Sequence, residues 1–258
     1  MEQNWRELKV LVLVKTYPRP SQHHQEVVCT AGMTEEGKWI RLYPINYRYR
    51  PYTQWFRKYE WIKVVAVKHS NDPRPESYRP DPDKPIETVS HLPADRDWSA
   101  RKKIVLANPP ATMCGLQKSG PLSQSLAVVK PKIVHDLVIE KDSPSWEPKY
   151  QKLFEQLTLF GPGQKPLEKI PWKFKYRYRC EASNCRGHQQ TILDWEIYQL
   201  FRKIRDKKGE EKALKDVRAK FLDEMCGPNR DTYFFVGNVY QKKAWIVVGV
   251  FWPPKNPE

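Results

Sequence analysis

The sequence predicts a β-rich mixed β/α chain: a small barrel or sandwich first, then a second unit carrying a helical insertion. Three observations lead there. Short apolar runs with strand character alternate with polar turns in the first half, with no repeating strand–helix alternation. From about Lys130 a second set of strand-like runs begins. Three helical stretches interrupt that second set before a closing hairpin.

In order, residues 8–14 form an unbroken apolar-rich run of buried-strand type, ended by Lys15-Thr-Tyr17-Pro18. Residues 26–32 and 39–44 read as two strands joined by the turn Glu35-Glu-Gly37-Lys38. In the second of these, Trp39, Arg41 and Tyr43 share one face, and Ile40 and Leu42 the other. Residues 61–67 are a further strand. The proline density of residues 70–90 predicts an extended segment, either a linker or a groove-lining loop that contains Arg74. Residues 98–106 suit a helix, 132–140 a strand, and 148–160 a helix closed by Pro162-Gly163.

The run Trp172-Lys-Phe-Lys-Tyr-Arg-Tyr-Arg-Cys180 alternates aromatic and basic side chains. On a strand this puts the aromatics on one face and Lys173, Lys175, Arg177 and Arg179 on the other. Residues 189–205 are expected to be helical, followed by a charged helix over 210–225 and a hairpin of 232–238 with 245–252. The domain boundary is placed near residue 130, giving units 1–130 and 131–258.

Charge defines the class of partner. A formal net charge of +15 and a pI near 9.5, interleaved with 10 Trp and 13 Tyr, point to a polyanion, with nucleic acid first. The expected contacts are Lys15, Tyr17, Trp39, Arg41, Tyr43, Arg48, Arg50 and Arg74 in the first half, and the four cations of residues 172–180 in the second. Stacking rings would take the bases while Lys and Arg follow the phosphates. No apolar stretch reaches the roughly 18–20 residues a bilayer requires. The N-terminal residues lack a signal peptide's apolar centre, and the five cysteines are too scattered for a disulfide framework. A reducing cytoplasm is therefore expected.

In such a compartment Cys180-x4-Cys185-x2-His188 has the spacing of a metal-binding segment, with Gly187 letting the chain turn back. Cys226, before Gly227-Pro228, is the expected fourth ligand. Zinc held by four protein ligands would be structural, because no position stays open for water. Asp194 and Glu196 lie close to His188 in sequence, so a metal-dependent nuclease centred on these three is the competing reading. However, the two carboxylates do not share a helix face. Asp194 is expected instead to pair with an arginine or to orient His188. No catalytic residue is assigned. A third reading is a protein-interaction module whose charge serves solubility.

Several segments together resemble a prokaryotic dual OB-domain family: Lys15-Thr-Tyr-Pro-x-Pro-Ser21, Val28-Cys-Thr-Ala-Gly32, Gly37-Lys-Trp-Ile-Arg-Leu-Tyr-Pro44, Arg74-Pro-Glu-Ser77, Cys185-x-Gly-His188 and Asp194-Trp-Glu196. The resemblance runs from Lys9 to Pro253. It implies two OB-like barrels, the second with a helical insertion, a nucleic-acid role and a setting among defence or mobile-element proteins. The first functional reading is a non-catalytic binder of single-stranded or structured DNA or RNA, acting as an adaptor or sensor with a protein partner encoded nearby.

Overall fold

The structure, a computed structural model, describes residues 4–120, 122–160, 165–239 and 244–255. Its first half is a closed five-stranded barrel. Strands β1 (Arg6–Lys15), β3 (Gln25–Met33), β4 (Trp39–Ile45), β6 (Ser77–Pro80) and β5 (Glu60–Lys68) pair in that order, and β5 closes back on β1. Every pairing is antiparallel except β4 with β6, which is parallel through Arg41↔Ser77 and Leu42↔Tyr78. The short β2 (Arg19–Ser21) and β7 (Glu87–His91) add to β3 and β5. A small closed barrel of this kind is consistent with an OB-like unit.

The unbroken apolar run of β1 reflects burial on both faces. Val10 and Val12 enter the barrel core with Val28, Leu42, Ile62 and Val64. Leu11 and Leu13 point outward, against Phe235, Val248 and Phe251 of the second half. The proline-rich segment differs from expectation, because β6 and β7 lie within it. Proline prevents long ladders, but β6 has only four residues and keeps Pro80 at its end. A buried network anchors the strand: the Ser77 hydroxyl donates to Asp72 at 2.7 Å, and the Arg74 guanidinium grips the same carboxylate at 2.6 Å.

Helices α1 (Ser99–Val105) and α2 (Met113–Ser119) lead into the second half. There the described strands form two three-stranded sheets. One orders β11 (His188–Thr191), β10 (Trp172–Cys180) and β9 (Pro131–Lys141); the other orders β13 (Trp245–Phe251), β12 (Tyr233–Asn238) and β8 (Leu126–Val129). An isolated parallel bridge, Ile192↔Val247, links them. Among the described residues the second half is therefore not a ring closed by continuous ladders like the first. The boundary expected near residue 130 falls between β8 and β9.

Helix α3 (Pro148–Phe160) joins β9 to β10. The insertion between β11 and β12 comprises α4 (Trp195–Lys208) and α5 (Glu210–Arg218), which runs on into a π-helical segment, Ala219–Glu224. The helix expected from residue 189 begins only at Trp195, after β11. Asp194 sets that start: its carboxylate accepts from the Glu196 N–H at 3.1 Å as the N-cap.

The two halves share a core. Besides the cluster around β1, polar ties cross between them. Arg41 donates to the Ser125 carbonyl and hydroxyl at 3.0 and 2.9 Å, Arg74 to the Asn238 carbonyl at 2.7 Å, and Tyr17 N–H to the Leu193 carbonyl at 2.9 Å. No helix among the described residues is long and apolar enough to cross a membrane.

Candidate nucleic-acid interface and metal centre

The alternation of residues 172–180 is realised in full on β10. Phe174, Tyr176 and Tyr178 are completely buried, at 0% exposure, beneath the sheet. Lys173, Arg177 and Arg179 are exposed on the other side and Lys175 half-buried. Beneath the strand, Tyr176 stacks on Phe234 at 4.5 Å and donates to the Phe221 carbonyl at 2.6 Å, which ties it to the helical insertion.

The cations along β10 differ in how far they are neutralised. Lys173 pairs with Asp142 at 2.7 Å, Lys175 with Glu140 at 2.6 Å, and Arg177 with Asp136 at 3.4 Å. Arg179 has no ion pair among the described residues, nor does the exposed Arg186 in the following turn. Two shallow depressions flank that turn. Lys118 and Arg186 stand in one, and His135, Arg177, Arg179 and Arg186 in the other; no carboxylate lines either among the described residues. The cations without an ion pair thus gather at the Cys180 end of the strand, in a turn that also carries the exposed Glu181.

That end also carries the cysteines. Cys180 ends β10, Cys185 follows in the turn, and His188 opens β11 across from Tyr178. Gly187, at φ +106°, occupies the left-handed region that the tight return requires. The fourth member is Cys114 from α2, and the ligand atoms of Cys114, Cys180, Cys185 and His188 all lie within 4.8 Å of one another. The Cys114–Cys180 sulfurs are 3.6 Å apart, and His188 Nε2 stands 3.5 Å from Cys114 Sγ and 3.2 Å from Cys185 Sγ. A zinc tetrahedron with Zn–S bonds of about 2.3 Å has sulfurs about 3.8 Å apart. The group therefore fits a metal ion such as zinc. Burial and the neighbouring sulfurs push the Cys114 thiol up to about 12. Cys180 is also opposed by burial, but hydrogen bonds from the Cys114 and Ala182 backbones and from His188 bring it down to about 6. A metal would draw the other thiols to the thiolate in the same way.

Cys226 corrects the expected ligand set. Its thiol donates to the Phe221 carbonyl at 3.5 Å, inside the turn of the helical insertion, and burial pushes it up to about 12. No spacing rule pointed to Cys114, which precedes the segment by 66 positions.

The cations and rings expected to bind in the first half are mostly engaged elsewhere. Arg41 and Arg74, 4% and 7% exposed, are occupied by Ser125 and by Asp72 with Asn238, so neither presents its charge to a ligand. Trp39 packs edge-on against Phe235 at 5.8 Å, because the face it shares with Arg41 is covered by the second half. Tyr43 is half-buried, and Tyr17 is buried with its hydroxyl donating to the Glu168 carbonyl at 2.9 Å. Arg48 reaches Glu26 at 2.9 Å and the Lys165 carbonyl at 2.5 Å, and Arg50 reaches Gln54 at 2.8 Å.

Lys15 lies under aromatic rings, 4.2 Å from the Tyr47 centroid and 4.7 Å from that of Trp195. Burial, with the nearby Lys58, lowers its ammonium to about 8. Lys58 is the partner that sequence reasoning missed for Asp194. Its ammonium meets both carboxylate oxygens at 2.6 and 2.7 Å and Glu196 at 3.1 Å. Against the cost of burial, these carboxylates hold Lys58 above the usual lysine range. Asp194 and Glu196 therefore serve an ion pair between the halves, and His188 belongs to the sulfur cluster; the three do not form one site.

Residues 109–258 match a family described as "Domain of unknown function (DUF8757)", and residues 6–107 match another, "Domain of unknown function (DUF8758)". Two adjacent domains thus meet the dual-domain resemblance, without a named function. No curated protein matches the chain. Among solved structures, one described as "Structure of murine DNA binding protein bound with ds DNA" is similar over 98% of both chains, at 11% identity and a TM-score of 0.32. Nothing about a ligand follows from likeness at that level.

Proposed function

For a chain that belongs to the family DUF8757, of unknown function, the reading has to come from the site, and we propose a non-catalytic nucleic-acid-binding protein whose binding face is the outward side of β10 and β11. One observation carries this: the β10 cations stand on the solvent face of the sheet and lead to Arg179 and, in the following turn, Arg186, neither of which has a carboxylate partner among the described residues. Such a row attracts phosphates, and the neighbouring Gln189 and Asn184 offer amide donors and acceptors.

The strand order supports a second OB-like unit. β8 and β9 are separated by Lys130 alone and read as one bent strand. With the Ile192↔Val247 bridge, the sequence of neighbours becomes β8/β9, β10, β11, β13, β12 and back to β8. This is the order of the first barrel, with the parallel contact at the same place. An OB unit binds oligonucleotides on its second and third strands and the adjoining loops; here those strands are β10 and β11.

Zinc at Cys114, Cys180, Cys185 and His188 is structural in this reading. It clips α2 to the β10–β11 turn and fixes where Arg179 and Arg186 stand. A protein that holds a strand without cutting it acts as an adaptor or sensor. The test is fluorescence anisotropy with labelled single- and double-stranded DNA and RNA, followed by incubation with magnesium. Salt-sensitive binding with intact strands is expected. Cleavage, or no binding to any strand, would contradict the proposal.

A further inference from the structure

A cleft of about 700 Å³ lies at the Trp172 end of β10. It opens between residues 17–20, which lead from β1 into β2, and the segment joining β9 to β10. Its volume is that of a small-molecule site.

Four of the five aromatic residues of this cleft have their polar tips occupied. Tyr17 donates to the Glu168 carbonyl at 2.9 Å, and Tyr198 to the Ile192 carbonyl at 3.1 Å. The indole N–H of Trp146 donates to the Leu167 carbonyl at 2.8 Å, and that of Trp172 to Glu210 at 3.1 Å. Tyr17 and Tyr198 are buried against each other, so the ring surface left to a ligand is that of the half-buried Trp146, Tyr150 and Trp172. Around it stand Arg19, Lys169 and Lys173. Lys169 and Lys173 share one carboxylate, Asp142, while Glu147 is paired with Lys149 at 2.9 Å. Arg19 is exposed and has no ion pair among the described residues. The cleft therefore combines aromatic walls with a positive surplus.

We infer that this cleft is a nucleotide subsite, taking one unstacked base against its aromatic wall with the attached phosphate at Arg19 and Lys173. The inference rests on the binding face proposed above and deepens it. Lys173 belongs both to the cleft and to the row of cations, and the six-residue step to Arg179 spans about 20 Å of strand. A single strand crossing β10 from the Cys180 end would deliver a base to the cleft. A free nucleotide shares the same chemistry.

The experiment uses a short oligothymidylate in which an abasic residue is moved through each position, alongside free nucleoside monophosphates. The full chain is compared with Trp172→Ala and Arg19→Ala. In the natural chain, one abasic position is expected to weaken binding about tenfold, the effect of losing one stacked base. In Trp172→Ala that difference should vanish. Arg19→Ala, an exposed position at the start of β2, should weaken intact and abasic strands equally, and it keeps the test usable if Trp172→Ala does not fold. Salt-sensitive strand binding that is indifferent to every abasic position would overturn the subsite and leave the binding face standing. Saturable nucleotide binding that depends on Trp172, without strand binding, would keep the cleft and overturn the face. Binding of neither would overturn both.

Discussion

Asp72 shows what a buried charge does in this protein. Burial by itself would raise its carboxyl, yet the Arg74 guanidinium and the Ser77 hydroxyl hold it at about 2. A carboxylate depressed from an ordinary value of about 3.8 stabilises the fold above that pH, and the stabilisation is lost as pH falls from about 4 to about 2. The linkage is worth roughly 2 kcal/mol. Asp72→Asn should accordingly flatten this part of the acid-denaturation curve relative to the natural chain, and parallel curves would remove the claim. Arg74→Ala leaves Asp72 buried without its cation and should cost about 3–5 kcal/mol in urea unfolding. Neither Arg41 nor Arg74 could be recognised from sequence as an internal tie. Arg41, alternating with aromatics, looks the same whether its face meets solvent or another domain, and Arg74 in its proline-rich run carries no sign of burial; Ser125 and Asn238, brought from far along the chain, place both inside.

At the scale of the element, the β10–β11 hairpin is where sequence was most informative. The alternation of β10 and the spacing Cys180-x4-Cys185-x2-His188 are both local, so the strand, the turn at Gly187 and three members of the cluster could be read directly. Cys114 could not, because its approach depends on how α2 packs, with Met113 and Leu116 in the second core. The metal content of purified variants separates the two assignments. Cys114→Ser should lose zinc and several kcal/mol of stability, on the order expected when an ion's binding energy is part of folding. Cys226→Ser should keep the metal. The reverse pattern would restore Cys226 as the ligand.

For the molecule as a whole, the cluster between the halves matters most. Leu11, Leu13 and Val14 of β1 share it with Phe235, Val248 and Phe251, so neither half can expose that face without losing a core. Leu13→Ala should cost about 2–5 kcal/mol. Urea unfolding should be a single transition by both tryptophan fluorescence and circular dichroism, and two resolved transitions would show halves that fold independently. The apolar run of β1 carried the signal for burial on both faces. It did not say what covers the outer one, since a partner domain and a second layer of the same domain leave the same pattern.

The central claim is that the Cys180 end of β10 holds phosphates. The most direct test is the slope of log binding constant against log salt for one labelled strand, for the natural chain and for Arg179→Ala with Arg186→Ala. Two lost phosphate contacts should reduce the slope by about 1.4 for a single strand, or about 1.8 for a duplex. The melting curve should not change, because both side chains are exposed and neither has an ion-pair partner among the described residues. An unchanged slope, with folding intact, would contradict the account and move the nucleic-acid interface off this face.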